Sequence, residues 1–252
     1  MALLTDGLIS VLEDLQTLDS AVFETAENER VDLDTKLKLA EERIGLEIAS
    51  FLLRTRASAI QRASDGSYDL SHVVVTPSVQ GWHTLQTLAE VYSDVYNSQF
   101  NDRFHGKWKH FQDQARHAQN LAFELGIGIV DNPVGRPNQP SVFGNGSGGP
   151  VAGYLVQVAW RTQADEASAP SEAVSFNASN GEPITVQPPQ APSGVTGYDV
   201  FVAMDGQPPA RQNPIPIAAG TPWIMPVTGV VPGPVPSAGQ APRYFVRRNR
   251  TL

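Results

Sequence analysis

Cysteine is missing altogether from the 252 residues, which excludes a disulfide-stapled scaffold, thiol catalysis and thiolate metal sites together. Long apolar runs are missing too, and no stretch approaches the roughly 20 residues of a membrane-spanning helix. The opening MALLTDGLISVLEDLQ carries acids where a secretory signal has a basic start. The chain is therefore expected to be soluble and kept inside a cell or a particle, with no membrane partner. Positive charge is scarce at the beginning: Asp6, Glu13, Asp14, Asp19, Glu24, Glu27, Glu29, Asp32 and Asp34 face only Arg30, which accounts for the whole net charge of -8. A nucleic-acid backbone repels such a segment. Proline is scarce in the first half, where Pro77 is the only one of twenty before residue 132, while every histidine and lysine lies before that point. Proline breaks helix interiors, so the first half is free to be helical and the second is not. This shift near residue 130 predicts two domains, an α part and then a β part.

The most regular stretch is Val31 to Arg62. Leu33, Leu37, Ala40, Ile44, Ile48, Phe51 and Leu52 recur at three- and four-residue steps, with Lys36, Glu41, Glu42, Arg43, Glu47 and Arg54 on the other side. Asp32 or Asp34 can cap its start. The spacing predicts one helix of roughly 45 Å, longer than a small bundle needs for its own core. Before it, residues 5 to 28 read as a first helix, with Leu8, Leu12, Leu15, Leu18 and Val22 along one stripe. After it come a polar connection with an Asp65-Gly66 turn signal, a short extended piece at Val73 to Val75, and a helix start at Thr76-Pro77. Helices follow over 77 to 101 and 103 to 125, the second ending at Gly126 as a C-terminal cap. Four helices make an antiparallel bundle over 1 to 130.

From 131 to 150 proline, glycine, asparagine and serine dominate without period, which predicts a linker. The period then becomes two. Tyr154, Val156, Val158 and Trp160 alternate with more polar neighbours, as do Val174, Phe176 and Ala178, then Ile184 and Val186, then Tyr198, Val200 and Val202. Short strands separated by turn signals predict a β-sandwich over 151 to 230. Residues 231 to 252 are Pro/Gly-rich and then basic, and read as an extended C-terminal arm. The fold class is thus α+β with several domains.

No side-chain constellation asks for chemistry. His110 and His117 are seven apart and lack the convergent partners of a metal site. The glycines at 144, 146, 148 and 149 are not followed by the Lys-Ser/Thr of a phosphate loop, and no serine sits in a Gly-x-Ser-x-Gly elbow. No catalytic, cofactor-binding or metal residue is expected, and the chain is read as non-enzymatic.

The pairing of VDLDTKLKLAEERIGLEIASFL with TPSVQGWHTLQTLAEVYSDVYNSQFNDRFHGKWKHFQDQARHAQNLAFELGIGIVDNPV resembles the helical head-to-tail connectors of tailed bacteriophages, the adaptor or head-completion proteins. The segment YLVQVAWRTQADEASAPSEAV, followed by PPQAPSGVTGYDVFVA, is similar to the fibronectin-type-III-like domains of phage structural proteins. The two cover about 31 to 130 and 150 to 226. Many simple connectors end soon after their helices, whereas this chain continues into the β part. The resemblance implies a ring, usually of twelve copies, in the neck of the virion and assembled in the host cytoplasm. That ring would join the portal protein to the lower neck or tail-completion protein, with DNA passing through its lumen without sequence-specific binding. An acidic bore would let DNA slide. Connectors of this kind use C-terminal tails to hold the portal, which places portal docking on Arg243, Tyr244, Phe245, Arg247, Arg248 and Arg250. Glu13, Asp14, Asp19, Glu41, Glu42 and Arg43 are the candidates for lumen or subunit interface. The alternative is a carbohydrate- or host-surface-binding module of a phage particle, carried by the sandwich.

Overall fold

The computed structural model describes residues 1–7, 9–59, 69–99, 102–226 and 228–248. Leu8, positions 60–62 of the expected long helix, the Asp65-Gly66 turn and Arg250 lie outside the described residues. The chain is α+β and divides into two compact units: Gly7–Asp131 with Pro242–Leu252, and Met1–Asp6 with Asn132–Ala241.

The first unit is helical, built from α1 (Leu12–Leu18), α2 (Val22–Glu29), α3 (Leu33–Ala59), α4 (Pro77–Gln99) and α5 (Asp102–Leu125). One continuous first helix was expected from 5 to 28; the chain instead breaks at Asp19, whose backbone is extended (φ -140°, ψ 100°). The Asp19 carboxylate accepts the Ala21 N–H at 3.1 Å, a local bond that competes with helix continuation. In α3 the buried positions Leu37, Ala40, Ile44, Ile48 and Leu52 form one face. Asp32 caps this helix, its carboxylate accepting the Asp34 and Thr35 N–H groups at 3.1 and 3.3 Å and the Thr35 hydroxyl at 2.7 Å. Helices α4 and α5 run antiparallel, as their stacked rings show: Tyr92 lies 5.5 Å from Phe111, and Tyr96 5.4 Å from Trp108. Ion pairs Lys36–Asp94 (2.8 Å) and Arg43–Glu90 (2.7 Å) lace α3 to α4.

A small antiparallel sheet completes this unit. Its central strand β2 (Ile127–Ile129) pairs with β1 (Val73–Val74) on one side and β11 (Tyr244–Val246) on the other. The C-terminal stretch was expected as a free arm; its described part instead supplies a third strand, because β2 still had one unpaired edge to satisfy. Gly126 ends α5 with a positive φ of 107°, and a Cβ there would meet Arg247 Cγ at 2.9 Å.

The second unit holds two antiparallel sheets, one ordered β5-β4-β7-β8 with β9 also on β7, the other β10-β6-β3. Strands β4 (Ala152–Thr162) and β7 (Val195–Met204) form the long central pair. The others are β5 (Val174–Ala178), β6 (Ile184–Gln187), β8 (Ala210–Arg211), β9 (Ile217–Ala218) and β10 (Trp223–Ile224). Tyr154, Val156, Val158, Trp160, Tyr198 and Val200 from one sheet share a buried core with Ile184, Val186 and Trp223 from the other. The expected linker is partly structured: β3 (Ser141–Gly144) pairs with β6, and Val134 is in the core. Four residues suffice for a strand once β6 offers its edge, whatever the surrounding composition. The N-terminus also belongs to this unit. Leu3 and Leu4 are buried, and Asp6 accepts the N–H of Leu3 at 2.8 Å and of Arg136 at 2.7 Å.

Candidate functional site

The candidates for a lumen or subunit interface, five acids and Arg43, sit in different surroundings. Glu13 and Glu42 are exposed. Asp14 turns back on its own helix, accepting the Val11 N–H at 2.9 Å, and also accepts from the Gln80 amide at 3.2 Å. Asp19 is drawn inward: its carboxylate pairs with the Lys107 ammonium at 2.8 Å and accepts a short hydrogen bond from the Tyr92 hydroxyl. Burial alone would raise the Asp19 pKa, but bonds from Lys107, Tyr92 and the Ala21 N–H outweigh it and hold the carboxyl below its ordinary range. Lys107 also stands 4.8 Å from the Tyr92 ring centroid. Asp19 is thus a tie between the α1–α2 corner, α4 and α5. Glu41 is half-buried, and burial, then the neighbouring Glu42, push its carboxyl upward. Arg43 is engaged with Glu90 and, at 3.8 Å, with Glu47.

The residues expected to dock a portal lie along the third strand and just after it. Arg243 pairs with Asp131 at 3.3 Å. Arg247 donates to the Leu125 carbonyl at 3.0 Å, a cation placed where α5 leaves its last carbonyls free. The Arg248 N–H donates to the Phe123 carbonyl at 3.0 Å, its guanidinium lies 4.9 Å from the Phe123 ring centroid, and Nη1 donates to Asn120 at 3.3 Å. These arginines fasten the C-terminal segment to its own helical unit. Tyr244 and Phe245 keep about half of their surface exposed.

The apolar surface of α3 went unread in the sequence. Leu39, Leu46 and Leu53, seven residues apart, are 44, 73 and 63% exposed. At 3.6 residues per turn they align on the side opposite the buried stripe. Beside Leu46 an open groove of about 500 Å³ runs between α3 and α5, lined by Phe51, Arg54, Phe123 and Arg248 among others. The seven-residue interval was visible in the sequence; the buried stripe of the same helix masked it.

Two buried polar clusters also escaped sequence reasoning. His83 is fully buried, with Nε2 donating to the Leu37 carbonyl at 3.0 Å and Nδ1 accepting from the Ser10 hydroxyl at 2.8 Å. Burial holds this imidazole down at a pKa of about 4, against the partial opposition of the Leu37 bond. Having no carboxylate bonded to it and no opening to solvent, the pair ties the N-terminal segment and α3 to α4. In the β unit Asp199, 1% exposed, accepts from Arg161 at 2.7 Å and Asn213 at 2.8 Å. Among the described residues no group of three or more His, Asp or Glu is placed to hold a metal ion, and no helix is long and apolar enough to cross a membrane. No protein-family model matches the chain and no curated protein matches it.

Proposed function

We propose that the chain is a structural adaptor of a phage neck. Copies of it form a ring, in the simplest case of twelve, that joins the portal to the next neck or tail component and lets DNA pass. The β unit is then an appended domain of fibronectin-type-III-like kind. The observation that carries this reading is the leucine row of α3, whose buried face is already complete without it. An exposed apolar row of this regularity marks a surface that another molecule covers. The acid-rich first 34 residues and the resemblance of the helices to connectors supply the direction. The portal contact falls on the exposed half of Tyr244 and Phe245, since the arginines around them are occupied within the subunit. Electron microscopy of the purified protein alone and with its cognate portal tests this. Rings on the portal are expected, and monomers that ignore the portal would sink the proposal.

A second reading, carbohydrate binding by the β unit, draws on one observation. On the outer face of the smaller sheet Phe143, Thr185 and Ile224 stand in register across three strands. Phe143 and Ile224 are about half exposed, and Thr185 Oγ1 is buried with no hydrogen-bond partner among the described residues. The exposed aromatic and aliphatic side chains of Phe143 and Ile224 on one sheet face offer a sugar ring an apolar platform. A glycan array probed with the full chain and with Phe143→Ala decides; silence across bacterial surface sugars removes this reading.

A further inference from the structure

The chain holds two Asn-Gly pairs, Asn145-Gly146 and Asn180-Gly181, and the fold gives them opposite surroundings. In this dipeptide the asparagine amide carbon and the glycine nitrogen can meet, because glycine brings no side chain between them and has wide φ/ψ freedom. Asn180 stands in the turn between β5 and β6, closed by the Gly181 N–H donating to the Ala178 carbonyl at 3.2 Å. Gly181 is buried, and its carbonyl accepts the Gly149 N–H at 2.7 Å. The Asn180 amide is held as well, donating to Glu182 at 2.9 Å. Asn145 follows β3, its backbone N–H donating to the Pro183 carbonyl at 2.9 Å. Asn145 and Gly146 are both exposed, and neither the Asn145 side chain nor Gly146 makes a hydrogen bond among the described residues. Gly146 has a φ of 83°, and nothing lies within 4 Å of where a Cβ would stand.

We infer that Asn145 is the preferred site of spontaneous deamidation in this chain, with Gly146 as the internal nucleophile. Solvent base takes the proton of the Gly146 N–H, and the nitrogen attacks Asn145 Cγ. The new N–Cγ bond closes a succinimide, and the side-chain amide nitrogen leaves as ammonia after picking up a proton. Water then opens the ring at either carbonyl and gives aspartate or isoaspartate, so water is the only co-reactant. The same step at Asn180 requires the Gly181 N–H to leave Ala178 and the Asn180 amide to leave Glu182. A buried, bonded N–H meets solvent base only when the structure opens locally. These restraints slow Asn180 by about tenfold or more. The isoaspartate product lengthens the main chain by one carbon between Asn145, anchored on Pro183, and Gly149, anchored on Gly181. The change therefore falls within 146–148 and leaves the pairing of β3 with β6 in place.

Peptide mass spectrometry tests this on the full-length protein, held at mildly alkaline pH in heavy-oxygen water, folded and in urea. Each event installs one solvent oxygen, and Arg161 separates the two pairs into different tryptic peptides. Incubation runs until both pairs have converted in the urea-unfolded chain. In the folded chain Asn145 is expected to convert at least about tenfold faster than Asn180. In urea, where neither pair keeps its partners, the two rates should come within about threefold of each other. Asn145→Gln should remove most of the isoaspartate that the folded protein accumulates, and the circular dichroism spectrum of converted wild type should match that of fresh protein. A smaller ratio in the folded chain, or a folded Asn145 that stays intact while the unfolded one converts, would overturn the inference. The same tenfold ratio in urea would trace the preference to flanking sequence and overturn it too.

Discussion

The buried imidazole of His83 makes the helical unit sensitive to mild acid. In the folded chain the ring is held near pKa 4 by burial, against an ordinary value of 6.5. Protonation would put a charge in the core and remove the acceptor that Ser10 uses at 2.8 Å. The unfolded chain takes up this proton first, so the contribution is intact above pH 6.5 and is lost as the pH falls toward 4. At about 1.4 kcal/mol per pH unit the whole window is worth about 3 kcal/mol, and the part between pH 7 and 5 about 2 kcal/mol. The depressed carboxyls work in a separate range. Asp19 lies below its ordinary 3.8 and Asp69, held by Ser71 and then His72, lies at about 2. Their stabilising effect persists above about pH 4 and fades only below it.

Urea unfolding at pH 7 and pH 5 measures this, followed by far-UV circular dichroism because the helices among the described residues all belong to the first unit. Tryptophan emission would mix the two units, with Trp82 in one and Trp160 in the other. His83→Gln, whose amide can still donate toward the Leu37 carbonyl, removes the titration. The other four histidines are common to both proteins, so the difference between the two pH differences isolates His83. Wild type should lose about 2 kcal/mol more than the variant between the two pH values. Equal losses would refute the assignment of this histidine as neutral and buried.

Gly126→Ala should cost about 1 to 3 kcal/mol and raise hydrogen exchange over residues 244–246, because φ is 107° there and a Cβ would press on Arg247 and Phe245. Asp19→Asn should lower the thermal midpoint by the equivalent of about 1 to 2 kcal/mol at neutral pH, and the gap to wild type should close below about pH 4 as the wild-type carboxyl protonates. In the β unit Asp199→Asn should cost about 2 to 4 kcal/mol in denaturant titration, since it leaves Arg161, 17% exposed, without its closest partner. Leu39, Leu46 and Leu53 replaced together by Gln should leave the circular dichroism spectrum unchanged and abolish rings on the portal by electron microscopy; rings that persist would show that the row is not an interface.

Periodicity carried most of the fold because the strong stripes are also the buried ones. Ile44 and Ile48 of α3, or Val156 and Val158 of β4, are fully buried, and their spacing alone names the element. Where long-range partners decide, periodicity misleads. The stripe Leu12, Leu15, Leu18 and Val22 runs straight across the break at Asp19; what stops the helix is a bond to Ala21 together with Tyr92 and Lys107, some 73 and 88 positions away. Strands β3 and β11 are three or four residues in Pro/Gly-rich or basic surroundings and acquire their conformation from β6 and β2. The charged candidates were legible as charges and illegible as contacts, because Asp14, Asp19 and Arg43 each read the same in sequence whether they face solvent or a neighbouring helix.

The two stripes of α3 answer different demands. A helix that served only its own unit would keep apolar side chains on the face toward α4 and polar ones elsewhere, since exposed leucine gains nothing from water. Lys36 and Arg43 follow this logic and join α4 through Asp94 and Glu90. Leu39, Leu46 and Leu53 do not, and their regular interval distinguishes them from singly scattered surface residues. Of the charges expected to meet neighbouring subunits, Arg43 is engaged with Glu90 within its own unit, while Glu42 stays exposed beside the leucines.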